Sequence, residues 1–153
     1  MRAILPDLLV GPAIAPADVA RLRRAGVTGV LSLQEPGADI LATAMARIRA
    51  ACAAPPAIAW RNVAIRDYDP DDLIARLPDA LAALAELRAG GGVVYLHCCE
   101  GVNRAPSIAL AHLVLERAMP LDDALAALAA AHAQARPYRE FVRWMRARTA
   151  DTA

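Results

Sequence analysis

Long apolar runs are missing from this chain. Hydrophobic residues make up 58% of the 153, a figure raised by alanine. Even so, no stretch approaches the ~18 residues that a membrane-spanning helix requires. The first residues, MRAILPDLLVGPAIAP, hold one arginine and early prolines at Pro6 and Pro12, with no long apolar core, so they do not read as a secretory signal. Cysteine is sparse and odd in number: Cys52, Cys98 and Cys99. That argues against a disulfide framework and for a reducing, cytoplasmic setting. A metal centre is not expected, because no paired CxxC occurs and His97, His112 and His132 stand far apart; no cofactor is called for. Neither charge is in excess. The formal net charge is +1, which disfavours nucleic acid or a membrane surface as partner. What remains fits one domain over residues 1–153, long enough to bury a core without staples.

Branched and helical patterns alternate along the chain. LLVG at 8–11 reads as a strand, Pro16 to Ala25 as a helix stopped by Gly26, and VTGVLSLQ from Val27 as a second strand. Ile40 to Ala53 is expected as a helix with Ile40, Leu41, Met45 and Ile48 inward, and AIAWRNVAI from Ala57 as a strand ending at Arg66–Asp67. Leu73, Leu77, Leu81, Leu84 and Leu87 recur at helical spacing, with Asp71 and Asp72 where a cap belongs and Gly90–Gly92 after the end. VVYLH is then a buried strand. Helices follow from Ala105 to Arg117, after Pro120, and around Tyr138, Phe141, Val142 and Met145. This order predicts an α/β three-layer sandwich: a central, mostly parallel sheet of about four to five strands flanked by helices. Ligands bind such sheets at the carboxyl ends of strands, where Cys98 and Asp67 both fall.

The stretch YLHCCEGVNRAPS, Tyr95 to Ser107, carries the chemistry. A strand delivers Cys98, a helix begins near Arg104, and Gly101 lies between them. The amides of such a turn, together with the helix start, form an anion cradle, and glycine permits the bend. Arginine adds a planar fork that matches paired phosphate oxygens. A thiol in that field is activated for attack on phosphorus. A buried cysteine taken alone is more often a small core hydrophobe; the spacing from Cys98 to Arg104, after a strand and before a helix, favours the nucleophile. Departure of the leaving oxygen also needs a proton, and RDYDPDD offers Asp67, Asp69, Asp71 and Asp72.

HCCEGVNRA resembles the His-Cys-x-x-Gly-x-x-Arg-Ser/Thr signature of the cysteine-based protein tyrosine phosphatase superfamily. GVNR, the segment AMPLDDALAAL followed by ARP, the opening GVTGVLSLQEP and the short chain are similar to the dual-specificity phosphatases. IRDYDPDDLIARLP and RAP are most like the plastid glucan phosphatases and their laforin-like relatives. The resemblance implies Cys98 as nucleophile, Arg104 and the loop Cys99, Glu100, Gly101, Val102 and Asn103 as phosphate binders, and His97 as a support of the loop. It also picks Asp67 as general acid, with Asp69 as runner-up, and places Tyr68 in the substrate pocket. The family's Ser or Thr after the arginine is Ala105 here, which implies slower hydrolysis of the intermediate; Ser107 is not given that role.

The implied activity is hydrolysis of phosphomonoesters, protein or small-molecule, with a phosphoglucan as a narrower option. A phosphate-binding module with weak turnover and a rhodanese- or arsenate-reductase-type enzyme are the alternatives. Sugar recognition needs aromatic faces, and only Trp60, Tyr68, Tyr95, Tyr138, Phe141 and Trp144 exist, with none between Pro36 and Pro56. Of these, Tyr68 and Trp60 are candidates for the pocket, whereas Tyr138, Phe141 and Trp144 are expected in helix packing. His112 and His132 are assigned no role, and Cys99 is expected to be a buried small residue. A disulfide from Cys98 to Cys99 or Cys52 would protect the nucleophile, though a reducing compartment disfavours it.

Overall fold

The structure is a computed structural model and describes residues 1–151. In chain order the elements are β1 (Arg2–Leu5), β2 (Leu8–Gly11), α1 (Val19–Arg24, entered through a 3-10 turn at Pro16–Asp18), β3 (Gly29–Ser32), α2 (Ala42–Ala53), β4 (Ala59–Asn62), α3 (Pro70–Arg88), β5 (Val94–His97), α4 (Arg104–Ala111, continued by a π-helical turn His112–Glu116), α5 (Leu121–Ala131) and α6 (Arg139–Ala150). The sheet order is β1-β2-β5-β3-β4, with β1 antiparallel and every other pair parallel. The α/β sandwich expected from the strand–helix alternation is therefore present, with five strands.

Period-two alternation sends each central strand's side chains to opposite faces. Val94 and Leu96 of β5 join Leu31 of β3 and Leu8 and Val10 of β2 in a core covered by α3, α4, α5 and α6. Tyr95 and Val30 point the other way and pack with Val19 and Leu22 of α1 and Ile48 and Cys52 of α2. Central β5 is buried throughout, so its carboxyl end is held rigidly where the site begins.

Several boundaries differ from expectation. β1 has no counterpart in the sequence reading, because an edge strand of four residues, half of them exposed, carries no alternation to detect. Helix α2 starts at Ala42, which leaves Leu41 72% exposed rather than inward. The cap of α3 is Asp69, whose side chain accepts from the Asp72 amide at 2.9 Å; Asp71 and Asp72 lie in the first turn. The reason is Pro70, which suits the first helical position and moves the cap one residue before itself.

Candidate active site

The turn between β5 and α4 is built to expose its amides. Gly101 bends at φ +72°, and a Cβ there would stand 2.4 Å from the Gly11 carbonyl carbon, so only glycine fits. Five of the turn's carbonyls accept hydrogen bonds. His97 Nδ1 donates to Cys98 O at 3.0 Å, and the Ala13 amide to Cys99 O at 2.8 Å. His132 Nε2 donates to Gly101 O at 2.8 Å and the Arg136 amide to Val102 O at 2.7 Å. The Ser107 hydroxyl donates to Asn103 O at 2.8 Å. By contrast, the amides of Cys99 to Asn103 donate to no acceptor among the described residues. Backbone donors left free beside a helix start form an anion cradle.

Arg104 is 1% exposed, an extreme position for a guanidinium. Its Nη1 donates to Asp39 Oδ2 at 2.6 Å and to Ile65 O at 2.8 Å. Nη2 lies 3.2 Å from Asp67 Oδ2 and 3.3 Å from Cys99 Sγ. Burial alone would weaken the charge on Arg104. The Asp39 hydrogen bond and the charges of Asp67, Cys98 and Asp39 more than offset it, so the guanidinium pKa stands above its ordinary value. Its Nε is buried without a partner among the described residues. Nε and Nη2 share one edge of the fork, the edge that matches two oxygens of one phosphate.

Cys98, Cys99, Glu100, Val102, Asn103 and Arg104 line a small pocket with Asp67 and Tyr68. Cys98 is 3% exposed and sits at its base, with Gly101 supplying the bend. Tyr68 stands 81% exposed on the rim at φ +56°, a left-handed conformation that a bulky residue rarely adopts. Asp67 Oδ1 accepts from the Tyr138 phenol at 2.9 Å and from the Tyr68 amide at 3.0 Å. His97 is buried behind the turn, stacked on Tyr95 with ring centroids 5.7 Å apart. Burial, helped by the Arg104 charge and opposed by the bond to Cys98 O, brings its pKa down to about 4, so the ring is neutral and donates from Nδ1.

The dual specificity phosphatase catalytic-domain family model matches residues 34–150. The chain belongs to that family. A phosphoglucan phosphatase of Castanea sativa, DSP4, is 35% identical over 113 residues, which cover 72% of this chain and 30% of that protein. Human dual specificity protein phosphatase 12 is 30% identical over 133 residues, 81% of this chain and 34% of its own length. The chain thus spans about a third of these curated relatives. A mouse putative dual specificity phosphatase, crystallised with zinc tungstate, superposes with a TM-score of 0.71 at 27% identity, covering 92% of this chain and 80% of that one.

The expected site residues of this dual specificity phosphatase domain come together, but several neighbours hold parts the sequence reading withheld. Asp69, the runner-up acid, is committed as the α3 cap and paired with Arg66 at 3.0 Å. Cys99 is half-buried rather than an inert core residue, and its sulfur accepts from Arg104 and from Gln34. Trp60 lies on edge strand β4 against His97, with ring centroids 6.1 Å apart, and does not line the pocket. All three cysteines are free thiols, and Cys52 and Cys98 belong to cores on opposite faces of the sheet, so the Cys98–Cys52 bridge has no geometric basis. His132, for which the sequence suggests no role, donates to the Gly101 carbonyl. Tyr138 packs in the core as expected, and its phenol in addition bonds Asp67. Asp39, the main anionic partner of Arg104, escaped notice altogether; the only signal was an acid after Pro36–Gly37 in the loop beyond a strand end.

Proposed function

We propose that the chain is one catalytic domain that hydrolyses phosphomonoesters in a reducing, cytoplasmic setting, through a phosphocysteine intermediate on Cys98. The observation that carries this reading is the unpartnered Nε of buried Arg104, beside a turn whose amides are free and whose first residue is a thiol. In the first step the Cys98 sulfur attacks phosphorus and the ester P–O bond breaks. The turn amides and the Arg104 edge hold the equatorial oxygens, and Asp67 gives the leaving oxygen its proton. In the second step water attacks phosphorus and Asp67 takes its proton. The P–S bond breaks, which releases phosphate and restores the sulfur.

Residues before the family match contribute to this unit, since Gly11 packs on Gly101 and the Ala13 amide holds Cys99 O. Ala105 offers no hydroxyl to the departing sulfur, and the Ser107 hydroxyl is engaged with Asn103 O, so the second step is expected to be the slower one. The substrate class is a phosphoprotein or small phosphomonoester. A phosphoglucan is favoured as the second reading by the identity to the chestnut protein and by exposed Tyr68 at the rim.

The test is turnover of aryl phosphate, phosphopeptides, phosphoinositides and phosphoglucan by the wild-type chain and by Cys98→Ser. Turnover that vanishes in Cys98→Ser supports the proposal. Binding of phosphorylated ligands with no wild-type turnover would leave a phosphate-binding module instead.

A further inference from the structure

The two-step scheme leaves Tyr138 unused, although it touches both halves of the site. The residue is 9% exposed at the amino end of α6. Its amide donates at 3.2 Å to the same Ser107 hydroxyl that holds Asn103 O in the cradle. Its phenol donates to Asp67 Oδ1 at 2.9 Å and accepts the Tyr68 amide at 2.8 Å. Burial first, and the Asp67 carboxylate second, raise the phenol's pKa, so it stays a neutral donor at working pH.

A carboxylic acid can carry its proton on either oxygen, but only one of them faces a bound ester. Oδ1 of Asp67 accepts from the Tyr138 phenol at 2.9 Å and takes a share of the Tyr68 amide at 3.0 Å, whose one hydrogen is split with the phenol oxygen at 2.8 Å. Oδ2 lies 3.2 Å from Arg104 Nη2, on the side of the pocket. We propose that Tyr138 is a positioning residue for proton transfer: by occupying Oδ1 it confines the transferable proton to Oδ2 and aims that oxygen at the leaving group. The same residue ties the acid's loop to the turn that holds the phosphate, its phenol bonding Asp67 and its backbone amide bonding Ser107 Oγ, so proton donor and phosphorus keep a fixed separation. This inference rests on Asp67 as the acid.

Two aryl esters separate the cases. Nitrophenyl phosphate has a leaving group that departs with little help, whereas phenyl phosphate needs the proton. Read as kcat/KM, which reports the step that forms the phosphocysteine, Asp67→Ala should be slower on phenyl phosphate by about 10²-fold or more, and much less so on the nitrophenyl ester. Tyr138→Phe keeps the ring and removes the hydroxyl. It should show the same selectivity in weaker form, about tenfold on phenyl phosphate and far less on the nitrophenyl ester. The double variant should be no slower than Asp67→Ala, because no proton remains to be aimed. Melting curves of all variants report the fold. A Tyr138→Phe that slows both esters equally, or neither, beside a selective Asp67→Ala, overturns the role of Tyr138 and leaves the acid in place. An Asp67→Ala without selectivity overturns the acid, and Tyr138's role with it.

Discussion

Two loops close on Arg104, each with an aspartate, and they differ in what the carboxylate meets besides the guanidinium. The loop after β3 brings Asp39, whose side chain is 12% exposed and whose Oδ2 accepts both Arg104 Nη1 and the Glu35 amide. The loop after β4 brings Asp67, 31% exposed, whose Oδ2 approaches Nη2 while Oδ1 is held by Tyr138 and Tyr68. Asp39 acts as a clamp on the far edge of the fork. Asp67 lines the pocket. The same residue type paired with the same arginine thus sits in two settings: Asp39 meets the guanidinium and a backbone amide through one oxygen, whereas Asp67 meets the guanidinium through one oxygen and Tyr138 and Tyr68 through the other.

Removing what the loops share should have the largest effect. Arg104→Lys replaces the fork with a point charge that satisfies neither edge, and a loss of about 10³-fold in kcat/KM on an aryl phosphate is expected. Retention of activity within tenfold would mean that the fork is dispensable. Asp39→Ala should next distinguish clamp from acid. Breaking a buried ion pair costs about 3–5 kcal/mol, so the melting temperature should fall, and kcat/KM should drop alike for good and poor leaving groups. Selective loss on poor leaving groups would make Asp39, rather than Asp67, the proton donor.

The pH dependence sharpens the contrast further. Burial works to raise the Asp39 pKa, but the Arg104 hydrogen bond and the Glu35 amide bring it below the ordinary carboxylate value. Its contribution to stability is therefore present above that ordinary value and is lost as pH falls through the lowered one. The penalty of Asp39→Ala should shrink in the same acidic range.

His97 titrates in a separate window. An unfolded histidine takes a proton near pH 6.5 and the buried ring resists until about 4, so stability should decline as pH falls from the first value to the second. The decline is of order 3 kcal/mol. His97→Asn keeps a donor for Cys98 O and should flatten that part of the curve; an unchanged slope would assign it to another group.

Legibility in the sequence followed distance along the chain. Cys98, Gly101 and Arg104 share one turn, and their spacing between a strand and a helix is visible within a few residues of sequence. Asp67 was reachable through its recognisable segment; the strand expected to run to Arg66–Asp67 stops at Asn62, and Asp67 lies in the turn that leads into α3. Asp39 and Tyr138 meet their partners across 65 and 71 positions, and His132 meets Gly101 across 31. No local pattern announces such contacts, because each depends on how α5, α6 and the β3–α2 loop fold back on the strand ends. The strand–helix order was readable because each buried face imposes its period. β1 was not, since only its last two residues, Ile4 and Leu5, pack against the core, too few to show a period.

The separation of Cys52 from Cys98 by the thickness of the sheet has a practical outcome. Cys52 is fully enclosed, and burial, only partly opposed by the Arg23 charge, pushes its thiol pKa up. An alkylating reagent added to the folded protein would find it silent. Any label taken up under native conditions then reports the pair at the cradle alone, and protection of that label by inorganic phosphate would read out occupancy without a mutation.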